Sequence, residues 1–370
     1  MTTLLARPAT AAAARGPLDL AQLGPNWYAA VMGTAITANA AVALPHRVPG
    51  QLGFAQAVWA LSLAMLAVLV AARLVHLTRH RAAAREQLLD NPATAVFYGC
   101  PPMALLAVGF GTLTVGAPVI GTGPAVALDL LLWSTGTLYA VLVAASLPYL
   151  MVTRHRLSAL AANPTWLLPV VAPMVAAALG PALLPHLPAG LRPGLFYACY
   201  GMFGASLLAV LVMLPVVFAG LVHSKLPAVL LTPSLFLVLG PLGQSSTAVG
   251  NLADAARTVA PALAAPAFGF AVLYGVAMTG FALLWLLLAG AANLRALVRD
   301  RMPFGMTWWA FTFPVGTCVT GTASLARHTG FAGFGWLAVA LYGLLLAAWA
   351  VAGARTASAL LGGRLLRAAV

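Results

Sequence analysis

Pro164-Thr165-Trp166-Leu167-Leu168-Pro169-Val170-Val171-Ala172-Pro173 opens an apolar run with a proline and interrupts it with another about ten positions on. Four more stretches follow the same plan at spacings of 67 to 72 residues: Pro25 with Gly33, Pro92 with Pro101, Pro233 with Pro241, and Pro303 with Pro314. The segments between them, centred near residues 65, 138, 207, 281 and 342, are as apolar but lack interior proline apart from Pro148 and Pro215 near two ends. A fixed period with two kinds of helix per unit is the mark of a repeat architecture. A proline within a helix frees a backbone carbonyl that hydrocarbon cannot satisfy. The broken set is therefore expected to be buried in protein or to line a watery cavity.

The composition supports a chain that lives in lipid. Its 62% hydrophobic and 7% charged residues lie far from the roughly 25% charge of soluble domains. A bilayer core about 30 Å thick needs roughly 20 apolar residues per helical span, and ten such runs are present. They are expected near 27–45, 52–77, 94–115, 124–150, 164–184, 193–221, 229–249, 266–293, 305–325 and 331–352. The fold class is thus an all-α integral membrane protein: ten transmembrane helices as five helical hairpins, with the odd-numbered helices inside, around a pseudo-fivefold central pore. Residues 1–22 read as an N-terminal tail, 23–352 as the transmembrane domain and 353–370 as a basic C-terminal tail. The first 22 residues contain Arg7, Arg15 and Asp19 and no long apolar region, so no secretory signal is evident.

A net charge of +13 invites a nucleic-acid reading, but no loop is long enough to carry such a face. Placed on ten spans, fifteen Lys and Arg residues fall on one side and only Arg47, Arg192, Arg257 and Arg327 on the other. That positive-inside bias puts both termini in the cytoplasm and the chain in the plasma membrane, with the lipid bilayer as its surroundings. All five broken helices then run parallel, N-termini inward. Each end carries roughly half a positive elementary charge, so their cytoplasmic mouth attracts anions. The alternative is that the same arginines only set topology and touch anionic lipid.

The interiors of the odd spans contain no ionisable side chain, which disfavours a proton relay or a fixed-charge clamp. They do carry small and hydroxyl residues on single faces. In the ninth span Phe313, Thr317, Thr320 and Ser324 recur at helical spacing; in the third, Tyr98, Pro102, Gly109, Thr112 and Gly116; in the first, Gly33, Thr34 and Thr37. The fifth offers Pro169 and Pro173, and the seventh Pro241, Gln244 and Ser245. Such stripes line a narrow pore or let membrane helices pack closely; both readings stay open. Asp129 is the one acid well inside the membrane limits, a candidate for coupling or for a pair with an arginine such as Arg192. Cys100, Cys199 and Cys318 are scattered, the histidines lack metal-ligand spacing, and no HExxH or G-x-S-x-G occurs. No metal, no cofactor and no enzyme chemistry are expected.

The ninth span begins Gly305-Met306-Thr307-Trp308-Trp309-Ala310-Phe311-Thr312-Phe313-Pro314. It resembles the WWAxTFP signature of the voltage-dependent anion channel superfamily, or tellurite-resistance/dicarboxylate transporter family. That family includes plant slow anion channels, bacterial tellurite-resistance homologues, malic acid permeases and sulfite efflux pumps. Asn26-Trp27-Tyr28-Ala29-Ala30-Val31-Met32-Gly33-Thr34, the 164–173 stretch and Leu239-Gly240-Pro241 are similar too, and the likeness covers most of 23–352. It implies five inner helices around a pore, commonly a homotrimer with one pore per subunit. It also implies a gating phenylalanine at Phe313, with Pro314 bending the helix inward. Asn91-Pro92 and Asn163-Pro164 stand where many relatives have His-Pro. The expected function is transport of a small anion, foremost a C4-dicarboxylate such as malate. A passive chloride or nitrate channel and a sulfite or tellurite-related efflux protein are the alternatives.

Overall fold

The structure, a computed structural model, describes residues 20–158, 161–362 and 365. The expected tails at 1–19 and 366–370 lie outside the described residues. The described residues form helices of several kinds and no strand. Among the described residues, eight helical stretches are long and apolar enough to cross a membrane. In chain order the helices are α1 (Tyr28–Ala43), α2 (Gln51–Arg79), a short amphipathic α3 (Arg81–Leu89), α4 (Pro92–Ile120), α5 (Thr122–Thr153), α6 (Pro164–His186), α7 (Ala189–Ser224), α8 (Val229–Val259), α9 (Pro261–Val298), α10 (Phe313–Thr329) and α11 (Ala332–Leu361). The first and ninth expected spans correspond to α1 and α10. Each is a shorter α-helix prefaced by 3-10 turns, Pro25–Trp27 and Met306–Phe311. The last helix continues to Leu361, so the first part of the expected C-terminal tail is helical.

The proline breaks have a specific local form. Pro25, Pro92 and Pro164 stand in the first turn of a helical segment, where a missing N–H costs nothing. The chain then runs as 3-10 turns before becoming α-helical, and the second prolines Pro101, Pro241 and Pro314 lie in the first α-turn. Pro173 alone of these second prolines is interior to an α-segment. Asn91 and Asn163 act as N-caps: Asn91 Oδ1 accepts from Thr94 N at 3.1 Å and Asn163 Oδ1 from Thr165 N at 3.0 Å. In α4 a π-turn over Thr112–Gly116 adds a second irregularity.

Two layers result. α1, α4, α6, α8 and α10 touch one another in a closed ring, α1 to α4 to α6 to α8 to α10 and back to α1. Most of the apolar window of α6 (94%) and of α8 (78%) is buried inside the protein, against 22–28% for α2, α5, α7, α9 and α11. Those five are the outer layer, with broad apolar faces such as Leu208, Leu211 and Val212 turned outward.

A polar clasp joins each outer helix to an inner one. Trp59 Nε1 donates to Thr112 Oγ1 (3.1 Å), Trp133 Nε1 to Ala176 O (3.1 Å) and Trp285 Nε1 to Leu235 O (2.9 Å). Ser206 Oγ donates to Val170 O (2.6 Å) and Trp349 Nε1 to Thr34 Oγ1 (3.1 Å). Glycines bring the inner helices together. A Cβ at Gly99 would collide with the Leu168 carbonyl of α6, and one at Gly243 with the α10 backbone at Thr317 and Cys318.

Candidate functional site

The inner ring encloses two spaces separated by one side chain. Towards the C-terminal ends of the inner helices lies a cavity of about 340 Å³. On the N-terminal side is a pocket of about 20 Å³ walled by Met32, Met103, Leu168 and Leu237. Phe313, 3% exposed, lines both. It is the first residue of α10, at the joint where 3-10 turns give way to α-helix, and Pro314 follows it on the small pocket's wall. A further small apolar pocket lined by Ala29, Cys100, Ser234 and Pro314 continues towards the N-terminal ends.

The larger cavity is polar on one flank. Gln244 and Thr247 of α8, Thr320 of α10 and Asn39 of α1 face it. Thr247 Oγ1 and Thr320 Oγ1 are 2.8 Å apart, a hydroxyl bridge between two inner helices. Asn39 Nδ2 donates to Ala107 O of α4 at 2.9 Å, and Asn251 Nδ2 to Ala178 O of α6 at 2.8 Å. Arg47 and Arg327 reach the rim. The expected uncharged lining therefore holds around Phe313 but not at this mouth, because both arginines lie just beyond the ends of the apolar runs.

Of the residues singled out in the sequence, Phe313, Pro314, Gln244 and Thr320 border these spaces. Most of the others face neighbouring helices. Thr34 Oγ1 donates to Ala30 O (2.8 Å) while accepting the Trp349 indole, and Thr37 Oγ1 donates to Gly33 O (2.9 Å). Gly33 is pressed against Thr312 and Trp309. Thr112 receives Trp59, and Thr317 Oγ1 donates to Pro314 O (2.7 Å) and approaches Gly240 O (3.2 Å). Ser245 donates to Leu242 O at 3.1 Å. Pro102, Pro169, Pro173 and Pro241 are buried in their helices and border none of these three spaces.

Tyr98 looks away from the ring. Its hydroxyl accepts from Arg73 Nη2 at 2.6 Å, and Arg73 Nη1 also donates to Leu23 O (2.7 Å) and Gln87 Oε1 (3.1 Å). Arg73, 9% exposed, thereby ties α2, α3, α4 and the segment before α1 into one knot.

Asp129 is 1% exposed and packs over Gly109, where a Cβ would come within 2.6 Å of its Oδ1. That oxygen has no hydrogen-bond partner. The anticipated pair with Arg192 is not formed, because Arg192 donates instead to the carbonyls of Leu187 (2.9 Å) and Pro185 (3.4 Å) at the end of α6.

Asn39, Asn251, Arg47 and Arg327 were not anticipated as cavity residues. Asn39 stands in an otherwise small and apolar helix face, and Asn251 continues the polar stripe of Gln244 and Thr247 at i−7 and i−4; those are the signals that could have found them.

A profile of the SLAC1 family, the voltage-dependent anion channel, matches residues 22–357. The sulfite efflux pump SSU1 of Arthroderma otae is 29% identical over 321 residues, covering 84% of each chain. That of Trichophyton rubrum is 28% identical with the same coverage. The uncharacterized transporter MJ0576 of Methanocaldococcus jannaschii is 24% identical over 88% of this chain and 90% of its own. The chain belongs to the voltage-dependent anion channel family, whose members move anions across membranes rather than transform them.

Proposed function

We propose that the protein passes small oxyanions of the sulfite class through the centre of the inner ring, at a constriction made by Phe313. The observation that carries this reading is the position of that ring between the 340 Å³ cavity and the apolar pocket beyond it. In this reading ten helices form five hairpins, and the closed ring of α1, α4, α6, α8 and α10 is the pseudo-fivefold wall. The fifteen-to-four arginine bias supports cytoplasmic termini in the plasma membrane. The N-terminal ends of the inner helices would then draw anions from the cytoplasm. A homotrimer with one passage per subunit completes the proposal.

Sulfite is placed ahead of malate because relatives 28–29% identical over most of their length are sulfite efflux pumps. Malate stays as the second reading, since the Val31-Met32-Gly33-Thr34 text resembles both branches and the cavity has room for four carbons. Permeation is passive or weakly coupled, as the wall around Phe313 holds no titratable group other than the buried Cys100 thiol. Proteoliposomes test this directly. Sulfite release faster than malate release, with a current reversing at the anion Nernst potential, is the expected result. Malate uptake driven by a pH gradient without current would replace the reading by a symporter, and absence of any anion flux would end it.

A further inference from the structure

We propose that the rim of the 340 Å³ cavity is an anion-binding site made by Arg47 and Arg327, separate from the Phe313 constriction; this rests on the transport reading above. Of the four arginines at this mouth, Arg192 is committed to backbone carbonyls, and Arg257 does not border the cavity. Arg47 and Arg327 do border it, and among the described residues neither guanidinium makes a hydrogen bond or an ion pair.

Arg327 lies in the last turn of α10, where a cation also offsets the negative end of the helix. Arg47 belongs to the linker between α1 and α2, outside any helix, so that explanation does not reach it. The carboxylate at this mouth, Asp254, interacts with Arg327 and Arg257 at longer range, and its Oδ1 lies nearest to His328 Nε2, at 3.2 Å. No carboxylate lines the cavity.

The floor supplies one donor. Gln244 is 2% exposed yet lines the cavity. Its Oε1 is sealed in protein without a partner and its Nε2 donates to nothing, which leaves the amide N–H for the cavity's contents. The Thr247–Thr320 hydroxyl bridge lies on the same floor. The Thr247 and Thr320 hydroxyl protons are taken up by their bridge and by the Gly243 and Thr317 carbonyls, so the donors are two planar guanidiniums and one amide, a set that suits a small oxyanion accepting hydrogen bonds on several oxygens at once. Such a site gives this mouth a saturable affinity that the apolar constriction lacks.

The test uses full-length protein in proteoliposomes with sulfite as probe. The side carrying residue 47 is identified by reaction of Arg47→Cys with an impermeant maleimide; the native Cys100, Cys199 and Cys318 are buried. Arg47→Gln and Arg327→Gln are each expected to raise the half-saturating sulfite concentration from that side roughly three- to tenfold, and the double variant by more than tenfold. Maximal flux should change less. Arg257→Gln removes the same charge from the same mouth without touching the cavity and is expected to leave half-saturation unchanged. A trimethylammonium thiol reagent should restore affinity to Arg47→Cys, and a sulfonate reagent should not. A double variant with wild-type half-saturation, or an Arg257→Gln effect as large as the others, overturns the site. Should neither wild type nor Phe313→Ala carry anions, the transport reading fails. The site is then decided by equilibrium sulfite binding to detergent-solubilised protein, where unweakened binding by the double variant overturns it. Binding seen only at concentrations that bind every variant equally, an adventitious ion only, overturns it as well.

Discussion

Replacing Phe313 by alanine removes the one side chain that borders both the cavity and the pocket of the inner ring. The ring has voids on two faces, so the cost in stability should fall at the low end of buried Phe→Ala changes, about 3 kcal/mol. Its removal joins the 340 Å³ cavity to the 20 Å³ pocket, and water can then follow an anion through the narrowest point. An anion stripped of water faces a penalty of many kcal/mol in an apolar passage. Relief of only about 1.4 kcal/mol of that barrier raises flux tenfold, and twice that a hundredfold. We therefore expect at least a tenfold gain in sulfite or chloride flux in proteoliposomes, with Phe313→Leu between wild type and alanine. Monodispersity and insertion are checked on the same preparation. Unchanged or abolished flux in a correctly inserted alanine variant would refute the assignment of Phe313 as the constriction.

Other outcomes follow from the packing. Asp129→Asn keeps the shape beside Gly109 and is expected to leave flux at one pH nearly unchanged; loss of pH dependence in a flux-versus-pH series would instead make Asp129 a coupling group. Gly99→Ala forces a methyl into the Leu168 carbonyl and should lower stability by about 1–3 kcal/mol, read as a lower melting midpoint in detergent. Thr320→Val breaks the hydroxyl bridge to Thr247 and should change relative permeabilities of sulfite and chloride while sparing the melting midpoint; identical permeability ratios would exclude a role in contacting anions. Arg73→Met removes donors to Leu23, Gln87 and Tyr98 and should destabilise by more than 1 kcal/mol, since it leaves the buried Leu23 carbonyl without its charged donor.

The helical runs and the proline breaks were legible because each depends on local chemistry, whereas Phe313 was singled out as a gate through the family resemblance and not through its own spacing. A proline needs a helix start or an irregular turn, and the 67–72 residue period repeats that need five times. What the sequence hides is rotation about each helix axis. Thr34, Thr112 and Thr317 carry the same hydroxyl as Thr320, but the first two receive outer-helix indoles and the third crosses to α8. A threonine can satisfy itself on its own helix carbonyl, so nothing in one helix says whether it faces a void or a neighbour. In the sequence Arg47 and Arg327 stood out only as members of the minority side of the charge bias. Their approach to one cavity depends on the ring closing, which no local pattern encodes.

The clasp from Trp349 to Thr34 spans 315 residues of sequence. Tyr342 Oη reaches Thr37 O across 305 residues at 3.3 Å, beside it. These bonds join the last helix to the first, so a ribosome must finish nearly the whole chain before they can form. At 5–20 residues per second that wait is roughly 15 to 60 s. Throughout it the first helix sits in the membrane with one flank uncovered, accessible to insertion machinery or to a neighbouring chain. Truncations that remove the final helix should therefore yield open, protease-sensitive intermediates rather than smaller folded proteins.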